Sequence, residues 1–235
     1  MGKEMNELTS HIREMLHACG ADLVGFADIA DVEQTDYPKA IAVGIKLPVS
    51  VVRDIENGPT AAYHEAYHDT NHRLDELVTF AESYLYGQGY GAYALSRKNA
   101  PISSDNRVPI PHKTIAYRAG LGWIGKNNLI ITPEFGGAVR ISSVLTDAPL
   151  DTCRSPIPAR CGSCKICTQA CPAGAIIGNA WHVGMDRDDM FRMRDCEAMA
   201  NRLSFENFGV PDAGICGICF ARCPYTRQYT KQIIK

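Results

Sequence analysis

Nine of the ten cysteines in this 235-residue chain fall between Cys153 and Cys223, and their spacing carries its most specific chemistry. Cys161, Cys164, Cys167 and Cys171 stand in CGSCKICTQACP, which is C-x2-C-x2-C-x3-C-P, the spacing that wraps thiolates around an iron–sulfur cube. Cys216, Cys219 and Cys223 in CGICFARCP repeat the end of that pattern one ligand short, and Cys196 in MRDCEAM supplies the missing thiol. Exchanging the fourth cysteines between runs completes two sets. Cys161, Cys164, Cys167 and Cys223 hold one [4Fe-4S] cluster; Cys196, Cys216, Cys219 and Cys171 hold the other. Zinc ribbons use paired C-x2-C modules and do not need a four-cysteine run. Cys19 and Cys153 stay outside both sets and read as small buried hydrophobes.

Two other motifs invite different chemistry. His64-Glu65-Ala66-Tyr67-His68 matches H-E-x-x-H, which puts two imidazoles on one helix face beside a carboxylate. Asn71 and Leu74 stand where the extended zinc-protease pattern needs Gly and His, so His64, His68 and His72 read as a solvated or cofactor-lining stripe. Gly120-Leu-Gly122-Trp-Ile-Gly125 matches G-x-G-x-x-G, but a helical pattern precedes it and a strand pattern follows. A dinucleotide loop needs the reverse order, so no Rossmann site is expected.

The elements around these residues follow from periodicity. Met5, Leu8, Ile12 and Leu16 recur at helical spacing, with Gly20 as a stop. ADLVGFA and AIAVGIKL read as buried strands, Ala61 to Tyr86 as one long helix, and GAYAL as a further strand. PHKTIAYRAG reads as a short helix with Pro111 at its first position and Gly120 past its end. NLIIT and AVRISSVLTD, joined by PEFGG, predict a β-hairpin, and a helix is expected around Asp186–Leu203. The proline-bearing stretch DAPLDTCRSPIPAR marks a boundary, giving an α+β chain with a core over 1–152 and a small two-cluster domain over 153–235.

Twenty-four basic against twenty-six acidic residues leave a net charge of −2, with no electrostatic footprint for nucleic acid or an anionic membrane. No apolar run reaches membrane-spanning length, and MGKEMNELTS is neither a signal peptide nor a twin-arginine leader. A cytoplasmic location is expected, where thiols stay reduced and serve as metal ligands.

AYRAGLGWIGKNNLIITPEFGG, followed by CGSCKICTQACPAGAI, resembles the epoxyqueuosine reductase family, relatives of the corrinoid-dependent reductive dehalogenases. The likeness runs from GADLVGFAD to CGICFARCPYTR. It implies a nitroreductase-like mixed α/β core that holds base-off cobalamin, beside a bacterial-ferredoxin-like domain whose clusters reduce the cobalt. It implies a corrin near Gly122, Trp123, Ile124, Gly125, Lys126 and Asn127, with His68 on a corrinoid-side helix. The family's catalytic aspartate falls on Asn106, which leaves adjacent Asp105 and His112 as candidate proton donors.

The expected function is an iron–sulfur reductase fed by a low-potential donor of ferredoxin or flavodoxin type and acting on a small molecule. The alternative is an electron-transfer protein that reduces a partner corrinoid or flavin protein. Neither tRNA nor a membrane is expected as a partner, on the charge and on the lack of the helical-repeat extension of the tRNA-acting relatives. Anaerobic reconstitution should load roughly eight irons per chain. Cys19→Ala and Cys153→Ala should leave that count unchanged, as read by iron analysis.

Overall fold

Asn6 begins the first helix by accepting a 2.8 Å hydrogen bond from the Thr9 N–H, so one orphan donor of the first turn is satisfied by its side chain. That helix, α1 (Glu7–Ala18), buries Ile12 and Leu16 and ends where Gly20 takes φ +98°. The computed structural model describes residues 6–32, 35–101, 103 and 107–231. They fall into two compact units, neither continuous in sequence. The first takes Met1–Ile45, Thr70–Gly122 and Arg140–Ile157; the second takes Lys46–Asp69, Trp123–Val139 and Pro158–Lys235. The second unit therefore draws two segments from ahead of the proline-bearing boundary.

The first unit is built on a sheet of order β1-β2-β6-β3, from β1 (Leu23–Asp28), β2 (Lys39–Lys46), β3 (Ala92–Ala94) and β6 (Val139–Thr146). β1 and β2 pair antiparallel with Val24 opposite Val43, and β3 and β6 pair antiparallel with Ala92 opposite Thr146. Six consecutive buried residues in β2 explain its unbroken apolar run, since a central strand is covered on both faces. Ile41, Val43 and Ile45 pack with Ile12, Leu16 and with Leu74, Leu77, Val78 and Leu85 of the long helix α3 (Ala61–Gly87).

Against β1 lies the short helix α4 (His112–Arg118), whose approach needs Gly25: a Cβ there would sit 2.9 Å from Ala119. Pro111 is the N-cap of α4, one position ahead of the expected N1, and Gly120 past its end takes φ +75°. Arg118 closes this corner with bonds of 2.5 and 2.9 Å to the Asp31 carboxylate.

The expected hairpin between NLIIT and AVRISSVLTD does not form. β5 (Ile130–Ile131) instead folds back on β4 (Trp123–Ile124), while β6 joins the main sheet. PEFGG is still a tight reversal, closed by paired bonds between Thr132 and Gly136, but the strands leaving it have different partners. Alternating apolar residues show that a strand has a buried face and not which strand it pairs with.

In the second unit, α2 (Val49–Asp54) and the helices flanking the cysteines gather Leu47, Val52, Ile55, Tyr63, Ile215, Phe220 and Tyr229 into one apolar cluster. Those helices are α5 (Ile166–Ala170), α6 (Met193–Phe208), α7 (Ile218–Ala221) and α8 (Pro224–Lys231). The helix expected over Asp186–Leu203 is a 3₁₀ turn at Arg187–Asp189 followed by α6, which stops at Gly209 with φ +75°.

Gly136 fixes the reversal against the start of α8. Its φ is +58°, and an added Cβ would lie 2.3 Å from the Thr226 nitrogen. Gly136→Ala combines backbone strain with a backbone clash, so it should cost more than about 2 kcal/mol. Denaturant unfolding of the cluster-loaded protein checks this; a change within about 0.5 kcal/mol refutes the packing.

Candidate metal centre

Short helices and turns carry seven of the eight clustered cysteines, and the longer α6 carries Cys196. Cys161 and Cys164 lie in a turn closed by the Cys164 N–H to Cys161 carbonyl bond of 2.9 Å, and Cys167 sits in α5. Cys223 precedes Pro224, whose fixed φ suits the first position of α8. These four thiols line one cavity of about 60 Å³, together with Lys126, Asn127, Ile131, Arg160 and Tyr225.

The other four gather separately. Cys196, in the first turn of α6, is acted on by Cys171 and Cys216, and the enclosed thiol of Cys219 by Cys216, Cys196, Cys167 and Cys171. The Cys167 contribution shows that the two groups are neighbours.

Burial is the first reason these thiols resist ionisation. It pushes Cys196 up to about 11, with Cys171, Cys216 and Glu197 adding repulsion, and it raises Cys167, Cys216, Cys219 and Cys223 as well. Backbone N–H groups of Tyr225 and Thr226 work the other way at Cys223, and that of Ile218 at Cys216. A buried thiol set of this kind is stable as thiolate only when metal charge replaces the protons. Among the described residues, no three His, Cys, Asp or Glu side chains close around a single metal ion. A lone tetrahedral zinc would draw its sulfurs to about 3.8 Å of one another, given bonds of about 2.3 Å. Four thiols spread around a cavity fit a cube, which takes one thiolate at each iron corner.

The segment expected at a corrin is occupied with the cluster loop. Lys126 donates from Nζ to the carbonyls of Gly162, at 2.7 Å, and Cys164, at 3.1 Å. Trp123 is fully buried, edge-on to Tyr225 at 4.7 Å, with the Arg160 guanidinium 5.6 Å from its ring centre. Ile124, Gly125 and Asn127 are buried beside it, and Gly122 is buried in the first unit. Gly120 and Gly125 are closely packed by neighbouring side chains. A Cβ at Gly120 would meet the Cys153 sulfur at 2.6 Å, and one at Gly125 would meet Asn127 and Ile131 at 2.7 and 2.8 Å. The indole Nε1 of Trp123 has no partner among the described residues, so this segment keeps one buried donor for an added group. Cys19, expected to be buried, is exposed.

His68 is exposed on α3, its Nε2 3.1 Å from that of His64. His72 pairs instead with Glu76 at 3.4 Å, and the three imidazoles do not converge.

The candidate proton donors separate. Asp105 lies outside the described residues. His112 is half-buried at the start of α4, its Nδ1 3.2 Å from the Ser143 hydroxyl. It lines a cavity of about 240 Å³ with Tyr37, Tyr93, Leu95, Val108 and Ile110. Burial, then Arg140, lowers its pKa to about 4, so the ring is neutral at pH 7 and charges only as the pH falls toward 4. A neutral imidazole offers a hydrogen bond rather than a ready proton.

Residues 160–226 match the family of 4Fe-4S double cluster binding domains, and this part of the chain binds two [4Fe-4S] clusters. The chain resembles epoxyqueuosine reductases. It is 34% identical to that of Listeria monocytogenes over 122 residues, 49% of this chain and 29% of the relative. It is 29% identical to that of Atelocyanobacterium thalassa over 227 residues, 86% of this chain and 68% of the relative. A reductive dehalogenase structure described as suggesting a mechanism for B12-dependent dehalogenation shares the fold. Its TM-score is 0.72 at 16% identity, over 100% of this chain and 35% of the other. An epoxyqueuosine reductase solved with a tRNA-Tyr epoxyqueuosine-modified stem loop matches with a TM-score of 0.59 at 19% identity, over 94% of this chain and 66% of the other. These likenesses carry the expected fold, a mixed α/β core with a two-cluster domain.

That tRNA-bound relative corrects one expectation. Net charge argued against tRNA, but a sum over the chain says nothing about how charge is distributed where RNA would lie. Among the described residues no helix is long and apolar enough to cross a membrane.

The gathering of thiols generates a direct test. Cys171→Ala and Cys196→Ala should damage the same cluster, and Cys223→Ala the other, as resolved by EPR of the reduced protein. Loss of the cluster of Cys161, Cys164 and Cys167 in Cys171→Ala would overturn the crossed ligand sets.

Proposed function

We propose that the protein is a cytoplasmic iron–sulfur reductase, similar in chemistry to epoxyqueuosine reductases, in which two [4Fe-4S] clusters feed a base-off cobalamin that reduces an unassigned substrate. The observation that carries the reading is the pair of enclosed cysteine groups. Cys161, Cys164, Cys167 and Cys223 are taken as one ligand set; Cys171, Cys196, Cys216 and Cys219 are taken as the other. Cobalamin comes to this chain from its likeness to the B12-dependent fold relative, and bound cobalamin supplies a cobalt centre able to take electrons singly. Trp123, whose indole N–H has no partner among the described residues, and the exposed His68 are the residues of the second unit assigned to it.

The cavity beside His112 is assigned to the substrate. In the tautomer where Ser143 donates to Nδ1, the ring carries its proton on Nε2 and can hold a carbonyl, hydroxyl or epoxide oxygen. Its neutrality leaves Asp105 as the stronger candidate for delivering a proton. The tRNA-bound relative supports an epoxyqueuosine-bearing tRNA as the first substrate to try.

Anaerobic titration with cob(II)alamin, followed by EPR, tests the acceptor. The expected result is a five-coordinate signal without nitrogen coordination from the cofactor's own base. An unchanged free-cobalamin spectrum at high protein concentration would leave the alternative, an electron-transfer protein that reduces a partner corrinoid or flavin protein.

A further inference from the structure

We infer that the two clusters are electrostatically unequal, and that the one held by Cys161, Cys164, Cys167 and Cys223 is the easier to reduce because Lys126 and Arg160 flank it. The inference rests on the ligand sets proposed above. A cluster's potential follows its hydrogen bonds, its exposure and the charges around it, and a nearby cation stabilises the added electron.

Both cations belong to the cavity of the first set. Among the described residues the Lys126 ammonium bonds to the neutral carbonyls of Gly162 and Cys164 and to no carboxylate, so no described carboxylate cancels its charge. Arg160 lies over the neutral indole of Trp123. Lys126 is half-buried and Arg160 exposed, so solvent and salt weaken Lys126 less.

The second set has a counterpart with the opposite outcome. Arg192 reaches the turn after Cys171, donating to the Gly174 carbonyl at 2.6 Å, as Lys126 does at its own loop. Asp195 neutralises it across 2.6 Å, and the Glu197 carboxylate repels added charge at Cys196.

Hydrogen bonds to sulfur do not reverse the order. Cys223 accepts from the Tyr225 and Thr226 N–H groups, while Cys171 accepts from Ala175 at 3.3 Å and Cys216 from Ile218. The charges therefore decide. Electrons arriving at either cluster settle on the first, which becomes the reservoir from which an acceptor draws.

A redox titration of the fully loaded protein followed by EPR reads this directly. Two reduction waves are expected, with Cys196→Ser abolishing only the lower one. Lys126→Met should move only the upper wave downward, by about the 59 mV that corresponds to a tenfold change in a one-electron equilibrium. Lys126→Arg should restore it. Arg160→Gln should move the same wave by less, which keeps the test open if Lys126→Met does not assemble. A shift of the lower wave, no shift in either variant, or loss of the upper wave in Cys196→Ser would overturn the inference. Wild-type protein that binds only about four irons would instead overturn the two-cluster reading beneath it.

Discussion

Enclosing eight thiols in one small unit is the constraint on which the rest of this structure depends. Burial opposes the ionised form that iron requires, most strongly at Cys196 and Cys219, and each thiolate added opposes the next. Metal charge removes that conflict, which makes cluster assembly part of folding for this unit rather than a later decoration. Its apolar cluster is correspondingly modest. Ile215, Phe220 and Ala221 lie between and beside the ligands of the second run, so the same turns set both packing and coordination.

Support for the cysteine loops comes from residues distant in sequence. Lys126 ties down two carbonyls of the first loop, and Tyr225 and Arg160 pack on Trp123. The Thr226 hydroxyl accepts from Gly137 at 2.9 Å, and the Tyr229 hydroxyl donates to the Leu47 carbonyl at 2.9 Å. The segment after RAGLG therefore belongs with the clusters, which is why its glycines and lysine are not free to be read as a ring-binding loop alone. Gly136 serves close approach to the Thr226 backbone, and Gly125 packs against the side chains of Asn127 and Ile131.

The first unit shows a different economy. Its sheet buries one face under α1 and α3, while Gly25 lets α4 approach from its own side of β1. That approach carries His112 into an apolar cavity, where loss of hydration and the charge of Arg140 hold the ring neutral. The chemistry available to it follows from this placement and not from its identity as histidine.

Local signals settled much of this protein in advance. The helix of Ile12 and Leu16, the long α3, the buried run of β2 and the two cysteine patterns each depend on spacing along the chain, which folding preserves. The G-x-G-x-x-G match could be set aside on element order, and H-E-x-x-H on its missing third ligand. Pairing between distant segments was beyond such reasoning. Ile130 and Ile131 carry the same apolar pattern whether they meet β6 or β4, and Lys126 carries the same charge whether it faces a cofactor amide or a carbonyl of Gly162. Which partner each found and how far His112 was desolvated were decided by tertiary structure. Those outcomes depend on residues brought close from remote parts of the chain, and spacing alone carries no record of them.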